Sequence, residues 1–191
     1  AILEINDYSR INTETCMGFH TILYIERGSL TLDIDRHKYT MSSYSYADIM
    51  GTREFHFIEA TPDIHAFIII LTESYMADLM KDKPPFPLSY IIGNETKPIR
   101  ELTMQQGELL NVRFKSICQQ FTDIKHYFKV DMIKCTIWML LMDIANFYLS
   151  KVGNTDTIIG DGRKHELFMK FMDLVSLHAK NEHSVVFYAS A

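Results

Sequence analysis

"GFHTILYIERGSLTLDIDRHKYTM", residues 18–41, decides the fold. Within it, Leu30, Leu32 and Ile34 alternate with Thr31, Asp33 and Asp35, the period-2 pattern of a strand with one buried face. Gly28 separates this run from an earlier one, and Asp35-Arg36-His37 reads as the tip of a hairpin. The same grammar continues outward. "YSYADIM" (44–50), "EFHFIEA" (54–60) and "IHAFIIIL" (64–71) are short runs rich in Ile, Phe and Tyr, separated by turn signals such as Pro62-Asp63. The last is apolar on both faces from Phe67 to Leu71, so it is expected to be covered on two sides. Short strands at this spacing predict a small antiparallel barrel or sandwich over about residues 15–71.

From Thr72 the period changes to 3.6, with Thr72 in the place of a helix N-cap before "ESYMADLMK". The prolines of "KPPFPLSYIIGNETKP" (83–98), three of them at 84, 85 and 87, predict a loop. Two long helices follow. The first carries one apolar stripe, Leu110, Phe114, Ile117, Phe121 and Ile124. The second, about Tyr127 to Lys151, carries two. One runs through Val130, Ile133, Ile137, Leu140/Leu141, Ile144 and Tyr148, and the other through Phe128, Met132, Cys135, Met139, Met142 and Leu149. A helix apolar on two sides needs two partners. The first is its own barrel and the preceding helix. The second is expected to be the same helix of another copy, which makes Phe128, Met132, Cys135, Met139 and Met142 the candidate homodimer face. Burial of both faces within one subunit is the alternative.

"VGNTDTIIGDGRK" (152–164) has no period and reads as a linker. A helix is expected over His165–Lys180, and a second begins at His183-Ser184-Val185 and stops within a turn or two. The organisation is therefore a first unit over 1–152 (strands to about 71, helices 72–152), a linker over 153–164, and the opening of another domain over 165–191.

Composition excludes several classes. The net charge of −5 lies wholly in residues 1–150, with 14 Lys+Arg against 19 Asp+Glu; residues 151–191 hold five of each. Nucleic-acid affinity draws on phosphate neutralisation by Lys and Arg, so this acidic body is a poor DNA or RNA binder as it stands. Cys16, Cys118 and Cys135 are odd in number and lack CxxC spacing, which fits a reducing cytoplasm. No signal peptide stands at the start, and Asp143 and Asn146 interrupt the greasiest stretch, "TIWMLLMDIANFYL", which is read as too short for a bilayer.

The order of parts, together with "HELFMKFMDLVSLHAKNEHSVVFYA" (165–189), resembles the AraC family of bacterial transcription regulators. Residues 165–180 are similar to the first helix of that family's DNA-binding domain, and Ser184 to Ala189 follow its "S-V-x-F-Y-A" pattern. The resemblance implies an α+β fold: a small cupin-like antiparallel β-barrel, a two-helix dimerisation hairpin, a linker and a truncated helical segment. It implies a homodimer with a small-molecule effector in the barrel, and DNA contact only through helix-turn-helix units absent from this chain. The closing residues are accordingly expected to mark a cut.

A cupin metal centre needs a His-x-His pair with a later carboxylate and His; here His20, His37, His56 and His65 are scattered, so no metal and no cofactor are expected. There is no Gly-x-Ser-x-Gly elbow, Walker loop or dinucleotide glycine pattern. Glu14-Thr15-Cys16 and Asp33/Asp35 sit where acids are usually solvated, so no catalytic set emerges and the chain is read as not an enzyme. The polar groups expected to touch an effector are His20, Tyr24, Tyr39, Tyr46 and His56; ordinary packing is the alternative for each. Either Phe19/Thr21/Leu23 or His20/Ile22/Tyr24 would face inward beside Leu30, Leu32 and Ile34. Two other readings rank lower. A cyclic-nucleotide-regulator sensor requires a phosphate cassette, which "IMGTREFHF" (49–57) does not supply. A small cupin enzyme requires the missing metal ligands.

Overall fold

The computed structural model describes residues 1–6, 17–84, 86–123 and 125–155, and within the closing segment 170, 171, 174, 175, 178, 182 and 184–190. Eight strands and five helices are described. The strands are β1 (Ile2–Ile5), β2 (Phe19–Arg27), β3 (Ser29–Ile34), β4 (His37–Ser42), β5 (Ser45–Ile49), β6 (Phe55–Ala60), β7 (His65–Thr72) and β8 (Ile99–Glu101). The helices are α1 (Glu73–Met80), α2 (Leu88–Thr96), α3 (Met104–Thr122), α4 (Lys129–Thr155) and α5 (Val185–Ser190).

The opening stretch folds as its alternation dictates. Leu30, Leu32 and Ile34 are fully buried, and β3 pairs antiparallel with β4 from Ser29↔Ser42 to Ile34↔His37. Asp35 and Arg36 turn the hairpin at φ 50° and 68°, and the Asp33 carboxylate accepts from the Arg36 N–H at 2.7 Å. Gly28 sits at φ 83°, where a Cβ would lie 2.9 Å from Ile64 Cα; only glycine fits there.

The fold is α+β with antiparallel sheets, as expected, but the barrel is not closed. A five-stranded sheet, β1-β7-β2-β5-β8, faces a three-stranded one, β4-β3-β6. β8, only three residues long, pairs with β5, so β4 and β8 remain edges of different sheets. Between the sheets lies one core that includes Leu23, Ile25, Leu32, Ile49, Phe57 and Ile68. Leu23 rather than Tyr24 therefore faces Leu30, Leu32 and Ile34, which settles the phase of β2.

The other face of the five-stranded sheet carries Ile22, Tyr24, Tyr46, Phe67 and Ile69, and the helices cover it. Tyr24, Phe67 and Phe114 stack there, with both Tyr24–Phe114 and Phe67–Phe114 at 5.5 Å between centroids. β7 is thus covered on two sides, as its unbroken apolar run requires. α1 starts where Thr72 caps the Tyr75 N–H at 3.2 Å. α3 starts with a capping box between Thr103 and Gln106.

The expected proline loop over 83–98 is corrected: residues 88–96 form α2. Pro87 stands at its N-cap, where a missing N–H costs nothing, and Pro98 follows its end. β8 is also additional to the sequence expectation. Along α4, Ile133, Ile137, Leu140, Leu141 and Ile144 are buried, but Val130, at the helix start, is exposed. The second stripe is uncovered as far as Met142, while Leu149 packs on the core: Phe128 is 62% exposed, Met132 43%, Met139 40% and Met142 50%, and Cys135 is exposed too. Lys129–Lys151 is long and apolar enough to cross a membrane by length and composition, beyond the shorter stretch read from sequence; here its buried stripe packs on α3 and the sheet. α4 runs to Thr155, three residues into the expected linker. Residues 156–164, Cys16, Ile124 and most of the expected helix over 165–180 lie outside the described residues. In the closing segment the Phe171 and Tyr188 rings meet edge-on at 5.9 Å.

Candidate functional site

The five residues singled out for ligand contact do not share one space. His20 and Tyr24 on β2 and Tyr46 on β5 point toward the helices. His56 stands on the outer face of β6 between the inward-facing Phe55 and Phe57, opposite Asp33. Tyr39 lies on the open edge β4.

Two of them, His20 and Tyr46, meet residues the sequence reading missed. β5 places Asp48 on the helix side, across from Ile22. Its carboxylate is 1% exposed and accepts three hydrogen bonds: from His20 Nε2 at 2.5 Å, and from Tyr90 Oη and Asn94 Nδ2 on α2. Burial alone would raise the Asp48 pKa, but the His20 charge and the three donors outweigh it, so the carboxyl stays below its ordinary range. Burial alone would lower the His20 pKa, and the Asp48 charge and hydrogen bond turn that into a rise. The result is a buried ion pair that fastens α2 onto the sheet.

Around it, polar atoms remain unused. Tyr46 Oη, Asn94 Oδ1 and Arg100 Nε are buried and have no hydrogen-bond partner among the described residues. Arg100, opposite Tyr46 across β5 and β8, donates from Nη2 to the Gly93 carbonyl of α2 at 2.7 Å. Its guanidinium lies 4.3 Å from the centroid of the Tyr148 ring on α4. Tyr24 donates to the Gly107 carbonyl of α3 at 2.8 Å, and burial pushes its pKa up, as it does for Tyr46 and Tyr90.

A second polar knot ties the sheet to α3. Glu26 accepts from Asn111 at 2.6 Å and Lys115 at 2.8 Å, and also meets His65 Nδ1, whose Nε2 reaches Glu4 at 2.8 Å. Burial would raise the Glu26 pKa; Lys115, His65 and Asn111 outweigh it and lower it. Both knots join sheet to helix, so the sheet–helix junction holds the charged chemistry while the space between the sheets is filled with apolar side chains. Among the described residues, no group of three or more His, Cys, Asp or Glu is placed to hold a metal ion.

No protein-family model matches the chain, and no curated protein matches it. Solved structures do. Apo ToxT from Vibrio cholerae aligns over 100% of this chain and 68% of its own, at 13% identity and a TM-score of 0.45. CuxR, an AraC-like transcriptional activator, aligns over 91% of this chain and 65% of its own, at 10% identity and a TM-score of 0.41. EutQ from Clostridium difficile aligns over 40% of this chain and 53% of its own, at 21% identity and a TM-score of 0.28. The chain spans about two thirds of the length of ToxT and CuxR.

The signals for the missed residues were uneven. Asp48 was visible as the one charged residue in "YSYADIM", a strand otherwise apolar or aromatic apart from Ser45. Tyr90 and Asn94 are four apart and share a helix face, but the prolines concealed the helix. Arg100 belongs to a strand too short to show a period.

Proposed function

We propose that this chain is the regulatory part of an AraC-type transcription regulator. It binds a small-molecule effector, dimerises and works in the cytoplasm as a homodimer, without enzymatic activity. DNA is contacted only through the helix-turn-helix units that residues 165–191 introduce, in line with the acidic body.

One observation carries the reading. The α3–α4 hairpin lies on the outer face of the five-stranded sheet over an apolar cluster that includes Phe67, Leu110, Phe114 and Ile137, flanked by the His20–Asp48 pair at α2 and the Glu26 knot at α3, and it leaves the Phe128–Met142 stripe of α4 uncovered. The buried His20–Asp48 pair adds little net stability over apolar packing, but polar contacts at the margin of the junction have alternative pairings. An effector that binds one arrangement better than another shifts how the hairpin is held, and through it the two DNA-binding halves.

A fusion tests this. Residues 1–155 joined to a DNA-binding domain that acts only as a dimer should control a reporter promoter, and Met142→Asp should abolish control. A fusion that accumulates in the cell but controls nothing would contradict the proposal.

A further inference from the structure

Outside the sheets, α1, the turn after it and α4 border a cleft of about 420 Å³, within the range of small-molecule sites. Part of its lining is apolar: the buried Leu79 of α1, with Cys135, Trp138 and Met139 of α4. Trp138 is the chain's single tryptophan, and Phe86 meets its ring at 5.5 Å. The charged part sets Asp78, Asp82 and Asp131 against Lys83 and Lys134. Lys134 is engaged within the cleft, donating to Asp78 at 2.5 Å. The carboxylates of Asp82, on the turn, and Asp131, on α4, have no hydrogen bond or ion pair among the described residues. Lys83 holds its ammonium 5.8 Å from the centroid of the Trp138 ring. The chain thus seats one of its own cations on this indole, as the negative face of the ring favours.

This lining selects by charge. An anion would meet two unpaired carboxylates, and a neutral apolar molecule would leave them and the face of the ring unused. We propose that the α1–α4 cleft binds a small organic cation, its ammonium replacing that of Lys83 over Trp138 beside Asp82 and Asp131, and its apolar body against Leu79, Cys135 and Met139. Lys83 stands on an exposed turn, so it yields its place for the loss of one weak contact. Cys135 and Met139 belong both to the cleft and to the uncovered stripe of α4, so an occupant touches the face on which a second copy is proposed to sit. Occupancy and dimerisation are linked through that shared surface. This deepens the sensor reading and rests on it for that consequence, but binding is measured on the chain alone. If binding fails, the reporter test above still decides the regulator.

The test follows the fluorescence of Trp138, the single tryptophan, while the full chain is titrated at constant ionic strength. The probes are 2-phenylethylammonium, neutral 2-phenylethanol and anionic 3-phenylpropionate. The ammonium should saturate, and bind at least about fivefold tighter than the other two. The same is expected of Met142→Asp, a change outside the cleft that keeps a second copy from covering it. Substitutions at three exposed positions should act with opposite signs. Lys83→Gln removes the internal competitor and should tighten binding about threefold, whereas Asp82→Asn combined with Asp131→Asn should weaken it about fivefold. The proposal is overturned if 2-phenylethanol or 3-phenylpropionate binds as tightly as the ammonium. It is equally overturned if Lys83→Gln fails to tighten binding, or if the ammonium gives no saturation in either chain by about 10 mM.

Discussion

Replacing Asp48 with alanine tests the buried junction most sharply. The carboxylate is 1% exposed and takes hydrogen bonds from His20, Tyr90 and Asn94, so its loss leaves three donors buried, one of them on a charged imidazole. Removing one partner of a buried ion pair costs about 3–5 kcal/mol. Asp48→Asn keeps the shape but turns one acceptor into a donor. With its carbonyl toward Tyr90 and Asn94, its amide N–H faces His20, which must then become neutral and accept; the cost should be about 1–3 kcal/mol. Urea unfolding followed by circular dichroism at pH 6 reads both. An Asp48→Ala cost below about 1 kcal/mol would refute the reasoning, because an exchange that small means the three donors find other partners. The paired change His20→Leu with Asp48→Leu should cost less than Asp48→Ala, since an apolar pair leaves no stranded charge.

Three further outcomes follow from the same geometry. His20, with its folded pKa raised, contributes stability that is full below its ordinary 6.5 and is lost as pH rises through the raised value; Asp48, lowered, contributes above its ordinary 3.8 and loses it as pH falls through the lowered value. Stability in urea should therefore peak between these ordinary values, and His20→Leu should remove the alkaline decline; an unchanged pH profile would contradict the pairing. Gly107→Ala should cost about 1–3 kcal/mol in thermal unfolding, because the added Cβ would overlap the Tyr44 ring where α3 meets the sheet. In thiol labelling of the Met139→Asp chain, whose α4 stripe stays open, Cys135 should react ahead of Cys118, whose pKa burial pushes up to about 11; equal rates would contradict the placement of α3.

Much of the fold was legible because side-chain period reports which face is wet. Leu30, Leu32 and Ile34 announced β3, and Ile133, Ile137 and Ile144 announced the buried face of α4. Closure of the barrel was not legible, since the β4 and β8 edges differ in backbone pairing and not in side-chain pattern. Nor was the phase of β2, where Leu23 and Ile25 on one face and Ile22 and Tyr24 on the other are equally apolar. His20 was singled out, and its alignment with Ile22 and Tyr24 could be read directly. Its partner could not, because Asp48 lies 28 residues away and meets it only through β2–β5 pairing. The prolines around α2 were read as breakers when they serve as its boundaries.

The uncovered α4 stripe offers the most direct check on the account as a whole. Light scattering at high micromolar concentration should give the mass of two chains for the unmodified protein and of one chain for Met139→Asp, with circular dichroism unchanged. A single-chain mass for the unmodified protein would contradict it.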